Sequence, residues 1–500
     1  MKKYIKSFPK IALLLALGAF ISSCEKFANG VSEFDPTKPT DASLKLVVNA
    51  AQISYVAYME GELARIGGMW SGQFTGTDRQ YVALNNYTST APDYDNAWST
   101  IYSSLFKSLK IAEAKATLVN NKRALAMMQI LEAHTMGTTA ALFGDIPYSQ
   151  ASNLSEYPNP VFDDQRDIYN ALITLVDQAL KNIDEAPDGT NYDGDLFFPG
   201  QKKVEDADAL WTAVAYTVKA KLYLNLSDYP NALQAAAKGI SNPSGDVMID
   251  HHDSPGQDFN LYYSFLVYDR PGYMGAADAF APKMLDATSP ETFNRNNDKN
   301  VEDDRFAYIY YGNYEDGYDL NVSGFDYDGE ADGMFSNRAP FRMLTYRDNQ
   351  LILAEATLRQ SGFTAALDEL NEYRAYLDAG GYLNPDYYSG PGNYQPYASA
   401  DFDEGGSQNP DGITAADALY REITEERYVS LLSTLDVFID MHRKGFGSFA
   451  GQQNWQVIGL TPVTGTLIPQ RFLIPQSEVN SNTSAPKPSP GLFDPTELFN

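Results

Sequence analysis

Apolar residues recur every three or four positions along much of this chain, the period of a helix with one buried face. Leu44, Val48, Ala51 and Tyr55 fall at spacings of 4, 3 and 4, and Thr40 can cap the helix they imply. The pattern predicts further helices over 94–117, 122–143 and 165–183. Gly144-Asp145-Ile146-Pro147-Tyr148 stops the second of these by glycine and proline chemistry. A helical pair follows at 207–226 and 230–240. Trp211, Ala215, Val218 and Leu222 stripe its first member; Leu233, Ala236, Ala237 and Ile240 stripe its second, which Asp228 can cap and Pro230 can start. A second pair occupies 344–360 and 364–377, and the last helices run from 415 to 433 and on to 444.

Small alanines at the contacts let paired helices approach closely, so both pairs are similar to divergent tetratricopeptide units, whose period is about 34 residues. Three stretches break the helical rhythm. Residues 67–93 read as a loop rich in Gly, Thr, Tyr and Asn. Residues 242–343 are rich in Tyr, Asp, Gly and Asn, with one candidate strand at 306–311, and residues 379–412 have the same character. Insertions of this length without regular structure tend to be functional. Residues 471–474 read as a short strand near the end.

The amino terminus has a different logic. Lys2, Lys3, Lys6 and Lys10 precede an apolar run, Ile11 to Ile21, and then Ser22-Ser23-Cys24. The run is well short of the ~20 residues a spanning helix requires. Small residues before a cysteine suit lipoprotein processing, and Cys24 is the single cysteine, with no partner for a disulfide. The expected organisation is a lipoprotein signal peptide at 1–23, a lipidated, proline-punctuated tether at 24–39, and one domain over 40–500. The competing reading is an ordinary secretory signal cut near a cysteine.

Charge narrows the partners. The formal net charge is −28, and loss of the four leader lysines takes it to about −32. A phosphate backbone needs clustered Lys and Arg, so nucleic acid is excluded as a partner, and so is a polybasic grip on anionic lipid. The lipid at Cys24 would have to hold the protein to the membrane. Aromatics are abundant, with 34 Tyr and 26 Phe; a tyrosine outside helices offers a flat apolar face with a polar tip.

Six segments in order carry a family resemblance: the cysteine motif at Cys24; Phe143-Gly144-Asp145-Ile146-Pro147-Tyr148; Tyr346-Arg347-Asp348 leading to Leu353-Ala354-Glu355-Ala356; Leu370-Asn371-Glu372-Tyr373-Arg374; Ile423-Thr424-Glu425-Glu426-Arg427-Tyr428 with Asp440 and Arg443; and Arg471-Phe472-Leu473-Ile474-Pro475-Gln476-Ser477-Glu478. Together they resemble the SusD/RagB family of nutrient-binding outer-membrane lipoproteins. The resemblance implies a mostly α fold: tetratricopeptide-like helical pairs forming a superhelical scaffold, with a loop-rich ligand-binding insertion and a few short strands. It also implies an outer-membrane, outward-facing location, a SusC-type TonB-dependent transporter as partner, a glycan or peptide ligand, no cofactor and no catalysis.

Within that frame Arg427 falls on an otherwise apolar stripe, and a buried guanidinium needs a carboxylate. Glu355 is the expected partner in a structural ion pair. The ligand candidates are Trp70, Gln73, Asp78, Arg79 and Tyr81 in the first loop and Tyr268, Tyr273 and Tyr310 in the insertion, since flat rings take sugar faces and Asp, Asn and Arg take hydroxyls. Trp98, His134 and His442 are expected in the core, and His251-His252 as a surface pair. Asp326, Asp328, Glu330 and Asp332 begin like a calcium loop, but Ala339 stands where a bidentate glutamate belongs, so a solvated acidic turn is expected. No GxSxG or P-loop pattern is present. The rival readings are the same architecture binding peptide or another nutrient, a helical scaffold without a small ligand, and a glycoside hydrolase.

Overall fold

The computed structural model describes residues 42–500, apart from 202, 254–257, 292 and 326. The signal peptide at 1–23, the tether at 24–39, Cys24 and Thr40 therefore lie outside the described residues. The first helix, Leu44–Met59, is capped by Ser43, whose hydroxyl accepts from the Leu46 N–H. The helix Lys122–Phe143 has the predicted bounds. Asn121 caps its start, and Gly144 at φ +81° ends it, where an added Cβ would also meet the Arg471 guanidinium at 2.8 Å. The stretch expected as helix from 94 to 117 runs without a break from Asp95 to Leu118, with a π-helical turn, Thr100–Phe106, between Asp95–Ser99 and Lys107–Leu118.

Both helical pairs are present, as Val204–Asn225 with Tyr229–Ala236 and Tyr346–Ser361 with Phe363–Asp378. Asn349 joins them: its amide donates to the carbonyls of Ala236 (2.9 Å) and Ile240 (3.2 Å). Gly239 makes room for that contact, since a Cβ there would lie 2.1 Å from the Asn349 oxygen. The helices Ala415–Ser430 and Leu435–His442 complete the scaffold. One continuous apolar cluster reaches from Leu44 to Phe499. Among the described residues no helix is long and apolar enough to cross a membrane.

Strand is confined, among the described residues, to four two-stranded antiparallel ribbons. Thr75–Gly76 pairs with Met274–Gly275, Ile146–Pro147 with Phe162–Asp163, Val247–Ile249 with Phe341–Leu344, and Tyr310–Asn313 with Gly317–Leu320. Three sequence expectations need correction here. Residues 303–309 are helical and the strand begins only at Tyr310. Residues 471–474 have no ladder partner, although Arg471, Phe472 and Ile474 are buried; the Phe472 N–H donates to the Leu142 carbonyl instead (2.9 Å). The first loop contains two helices, Glu62–Trp70 and Arg79–Asn85.

The predicted Glu355–Arg427 pair is also corrected. Arg427 is buried as expected, but it bonds Asp440 (2.6 Å) and Asp348 (3.1 Å). Glu355 bonds Arg443 and Arg359. The cause is helix geometry: Glu355 lies seven residues beyond Asp348, about 10 Å along the axis. Arg427 meets only the Asp348 end of that helix. Arg443 links the two centres, because it also bonds Asp440 (2.9 Å). Burial pushes the Glu355 carboxyl up, but Arg443 and Arg359 outweigh it and hold its pKa at about 2.

A second buried network fastens the insertion to this scaffold. Glu426 bonds Arg295 (2.7 Å) and Arg305 (3.0 Å), both from the 242–343 stretch. Arg374 donates to Asn300 Oδ1 (2.9 Å) and the Gln395 carbonyl (2.8 Å), tying both loop-rich stretches to one helix. The motif residues of 371–374 and 423–428 thus act in the scaffold, and the loops they hold are fixed from beneath.

Candidate functional site

The ribbon of Thr75–Gly76 with Met274–Gly275 brings the first loop against the insertion. The Thr77 N–H donates to the Tyr273 carbonyl (2.8 Å) and the Thr77 hydroxyl to Gly272 (2.7 Å). Asp78 then caps the short helix Arg79–Asn85, and Arg79 sits at φ +47°, a conformation that L side chains seldom adopt. The guanidinium carbons of Arg79 and Arg270 lie 5.6 and 5.9 Å from the centre of the Tyr273 ring. Arg65 donates to the Tyr81 hydroxyl (3.3 Å) and lies over Phe265. Asp78, Arg79, Tyr81 and Tyr273 are therefore neighbours.

Tyr268 belongs to a second π-helical turn, Ser264–Asp269, and is 58% exposed. Its ring stacks on Phe259 at 5.5 Å and meets Tyr263 at 5.9 Å. Tyr327 meets the same Tyr263 ring at 6.1 Å and is 54% exposed. Phe325, 69% exposed, faces the Arg338 guanidinium at 5.9 Å. Tyr311 and Tyr314 are also exposed on the adjacent hairpin, and Tyr311 donates to Asp319 (3.2 Å). Large rings held on the surface by stacking on other rings, rather than buried, form a platform that can take the flat face of a ligand. Among the polar groups of these segments, Arg79 and Arg270 lie about Tyr273 and Asp319 accepts from Tyr311.

Other candidates are placed elsewhere. Trp70 is 1% exposed, packs on Phe438 and Phe472, and donates its indole N–H to the Leu84 carbonyl (2.8 Å). It supports the loop from below and has no free face. Tyr310 is equally buried and donates to the Gln73 carbonyl (3.1 Å), while the Gln73 side chain accepts from the Ser433 N–H. Tyr81 and Tyr273 are largely covered, so they line the base of the site, with Tyr268 at its surface. Helix and strand registers decided these outcomes, and neither was visible in the loop's composition. Phe325, Tyr327 and Arg270 were not among the chosen residues. The alternation Gly324-Phe325-Asp326-Tyr327-Asp328-Gly329, with aromatics between acids on a glycine-bounded turn, was the available signal.

Trp98 is buried as expected and donates to Glu478 (3.2 Å), although its edge borders an apolar groove of about 640 Å³ with Tyr102, Phe106, Ile111 and Leu154. His134 is buried against the Tyr55 hydroxyl (2.7 Å), and burial drives its pKa well down; His442 lies between the carbonyls of Phe438 and Pro469. The expected surface histidine pair is half right. His252 is exposed beside Asp258, but His251 is buried against Glu60 (3.1 Å). In the acidic turn, Asp328 accepts from the N–H groups of Gly324 and Glu330, and Asp332 bonds Arg338 (3.0 Å). Among the described residues, three carboxylates that do converge are Asp145, Asp164 and Glu497; all are exposed, and they already serve the Gln165 N–H, a helix cap and Arg166 respectively.

The sequence model of a protein family described as SusD-like, starch-binding and associating with the outer membrane matches residues 36–472. Solved structures share the fold at low identity. A SusD/RagB family protein from Bacteroides thetaiotaomicron is 17% identical, with a TM-score of 0.59 over 89% of this chain and 95% of that one. A chitin-binding protein is 18% identical, with a TM-score of 0.58 over 87% and 94%. A SusD homologue from Bacteroides fragilis is 13% identical, with a TM-score of 0.63 over 92% and 100%. No curated protein sequence matches the chain.

Proposed function

The chain belongs to the SusD-like family, a family of nutrient-binding proteins associated with the outer membrane, and from that premise we propose that it captures an oligosaccharide or polysaccharide at the cell surface without cleaving it. In this reading Cys24 carries the lipid, residues 24–39 tether a single domain over 40–500, and the ligand passes to a SusC-type TonB-dependent transporter. The observation that carries the reading is the pair of exposed rings Tyr268 and Tyr327 on Tyr263, with exposed Phe325 against Arg338 and the guanidiniums of Arg79 and Arg270 about Tyr273. Rings present sugar faces with apolar contact, and the flanking guanidiniums and carboxylates match hydroxyls, which both donate and accept.

Affinity gel electrophoresis against a panel of starch, chitin and pectin tests the reading. Retardation by at least one glycan, with no reducing ends released, is the expected result. No retardation, or hydrolysis lost on changing one carboxylate, would overturn it. Purification of the native protein in mild detergent tests the partner: a large TonB-dependent barrel should appear in the same fraction.

A further inference from the structure

We propose that a pocket beside the aromatic platform recognises a carboxylate on the ligand; this rests on the reading that the insertion binds ligand. A pocket of about 200 Å³ opens between the 332–342 segment and the 382–385 loop, lined by Tyr308, Asp332, Arg338, Arg342, Tyr382 and Asn384. It adjoins the platform, because Arg338 faces the Phe325 ring and the Phe325 N–H donates to Asp332.

Arg338 in this pocket pairs with Asp332 (3.0 Å), but Arg342 and the Arg347 behind it differ from the arginines of the two buried networks. Arg427, Arg443, Arg359, Arg295 and Arg305 all reach a carboxylate at 3.1 Å or less. Arg342, only partly covered, lies close enough to Tyr308 for its charge to counter the rise that burial gives that phenol, and it has no carboxylate within ion-pair distance among the described residues. Behind it Arg347 is fully buried, with its guanidinium 4.2 Å from the centre of the Tyr382 ring. Arg347 donates to the Ser430 carbonyl (2.7 Å), while its Nε has no hydrogen-bond partner and no carboxylate lies within ion-pair distance among the described residues. Asp246 is the acid whose field reaches both, but it sits beyond ion-pair distance and accepts from the Tyr346 N–H (2.7 Å). The Tyr382 hydroxyl, 96% buried, also lacks a partner.

A buried donor without an acceptor is costly, and a buried guanidinium without an anion more so. In a chain of net charge −28, a pocket where cations outnumber their anions and a hydroxyl donor is unused is complementary to a small anion with planar oxygens. A carboxylate meets the Arg342 fork and the Tyr382 hydroxyl together. It can come from a uronic acid in a glycan or from the carboxyl terminus of a peptide.

Isothermal titration of the full chain with two matched pairs separates these sources: trigalacturonate against its methyl ester, and acetyl-trialanine against its amide. In at least one pair the acid should bind about tenfold or more tightly than its neutral counterpart, and that pair names the source. Arg342→Gln should erase the preference. Tyr382→Phe, which keeps the ring and its packing, should reduce it severalfold. Absence of acid preference in both pairs, or a preference that survives both substitutions, overturns the carboxylate pocket. A neutral glycan that still binds in that case leaves the platform reading intact; failure of every glycan and peptide removes both.

Discussion

In the scaffold, Arg427 and Arg443 share Asp440, and Arg443 and Arg359 share Glu355, all out of water. Where the insertion meets that scaffold, Arg342 and the Arg347 behind it have no carboxylate within ion-pair distance among the described residues, and Tyr268, Phe325 and Tyr327 stay at the surface. The first region satisfies itself; the second keeps donors and ring faces available. On the proposed reading, a fold that neutralises its buried charges in one place and leaves donors unmatched in another separates stability from recognition. Substitutions on the two sides should therefore fail in different ways.

The largest effect belongs to the scaffold. Glu355→Ala would leave Arg443 and Arg359 buried without their shared anion, and should cost about 3–5 kcal/mol in urea denaturation. Arg427→Met should cost less, because Asp348 and Asp440 keep Lys221 and Arg443; a smaller loss for Glu355→Ala than for Arg427→Met would break the comparison. Trp70→Ala should destabilise by about 3–5 kcal/mol as a core truncation, while the folded fraction binds ligand as before.

Next comes acid. Glu355 has a folded pKa of about 2 against an ordinary 4.5. A depressed carboxyl stabilises the fold above its unfolded pKa, and this is lost as protons bind between about pH 4.5 and 2. Its share is about 3 kcal/mol. Melting temperatures across that range should fall in the parent protein and fall less in Glu355→Gln. The smallest effects belong to the platform: Tyr268→Ala and Tyr327→Ala should each weaken ligand binding by about 2- to 12-fold, with the melting temperature unchanged.

Legibility in the sequence follows the same division. Helix bounds such as 122–143 could be read directly, because one helix announces its own face and caps. The partner of Arg427 could not, because Asp348 and Glu355 lie on the same helix and only its placement against Ala415–Ser430 decides between them. Asp78, Arg79, Tyr81 and Tyr273, chosen from two distant segments, lie together through a pairing only two residues long on each side. Trp70 and Tyr310 were misjudged because aromatic loops pack inward as readily as outward. In the insertion, Tyr262 and Tyr318 are buried while Tyr268 and Tyr327 are not, and composition is the same for all four.

The most direct test of the account is titration of one bound glycan into the parent protein and into the Tyr268→Ala/Tyr327→Ala double variant, with a thermal melt of each. The account predicts that binding is lost or reduced by tens of fold while both melt together. Equal affinity in the two proteins would contradict it, since the ligand would then sit somewhere other than the insertion's exposed rings.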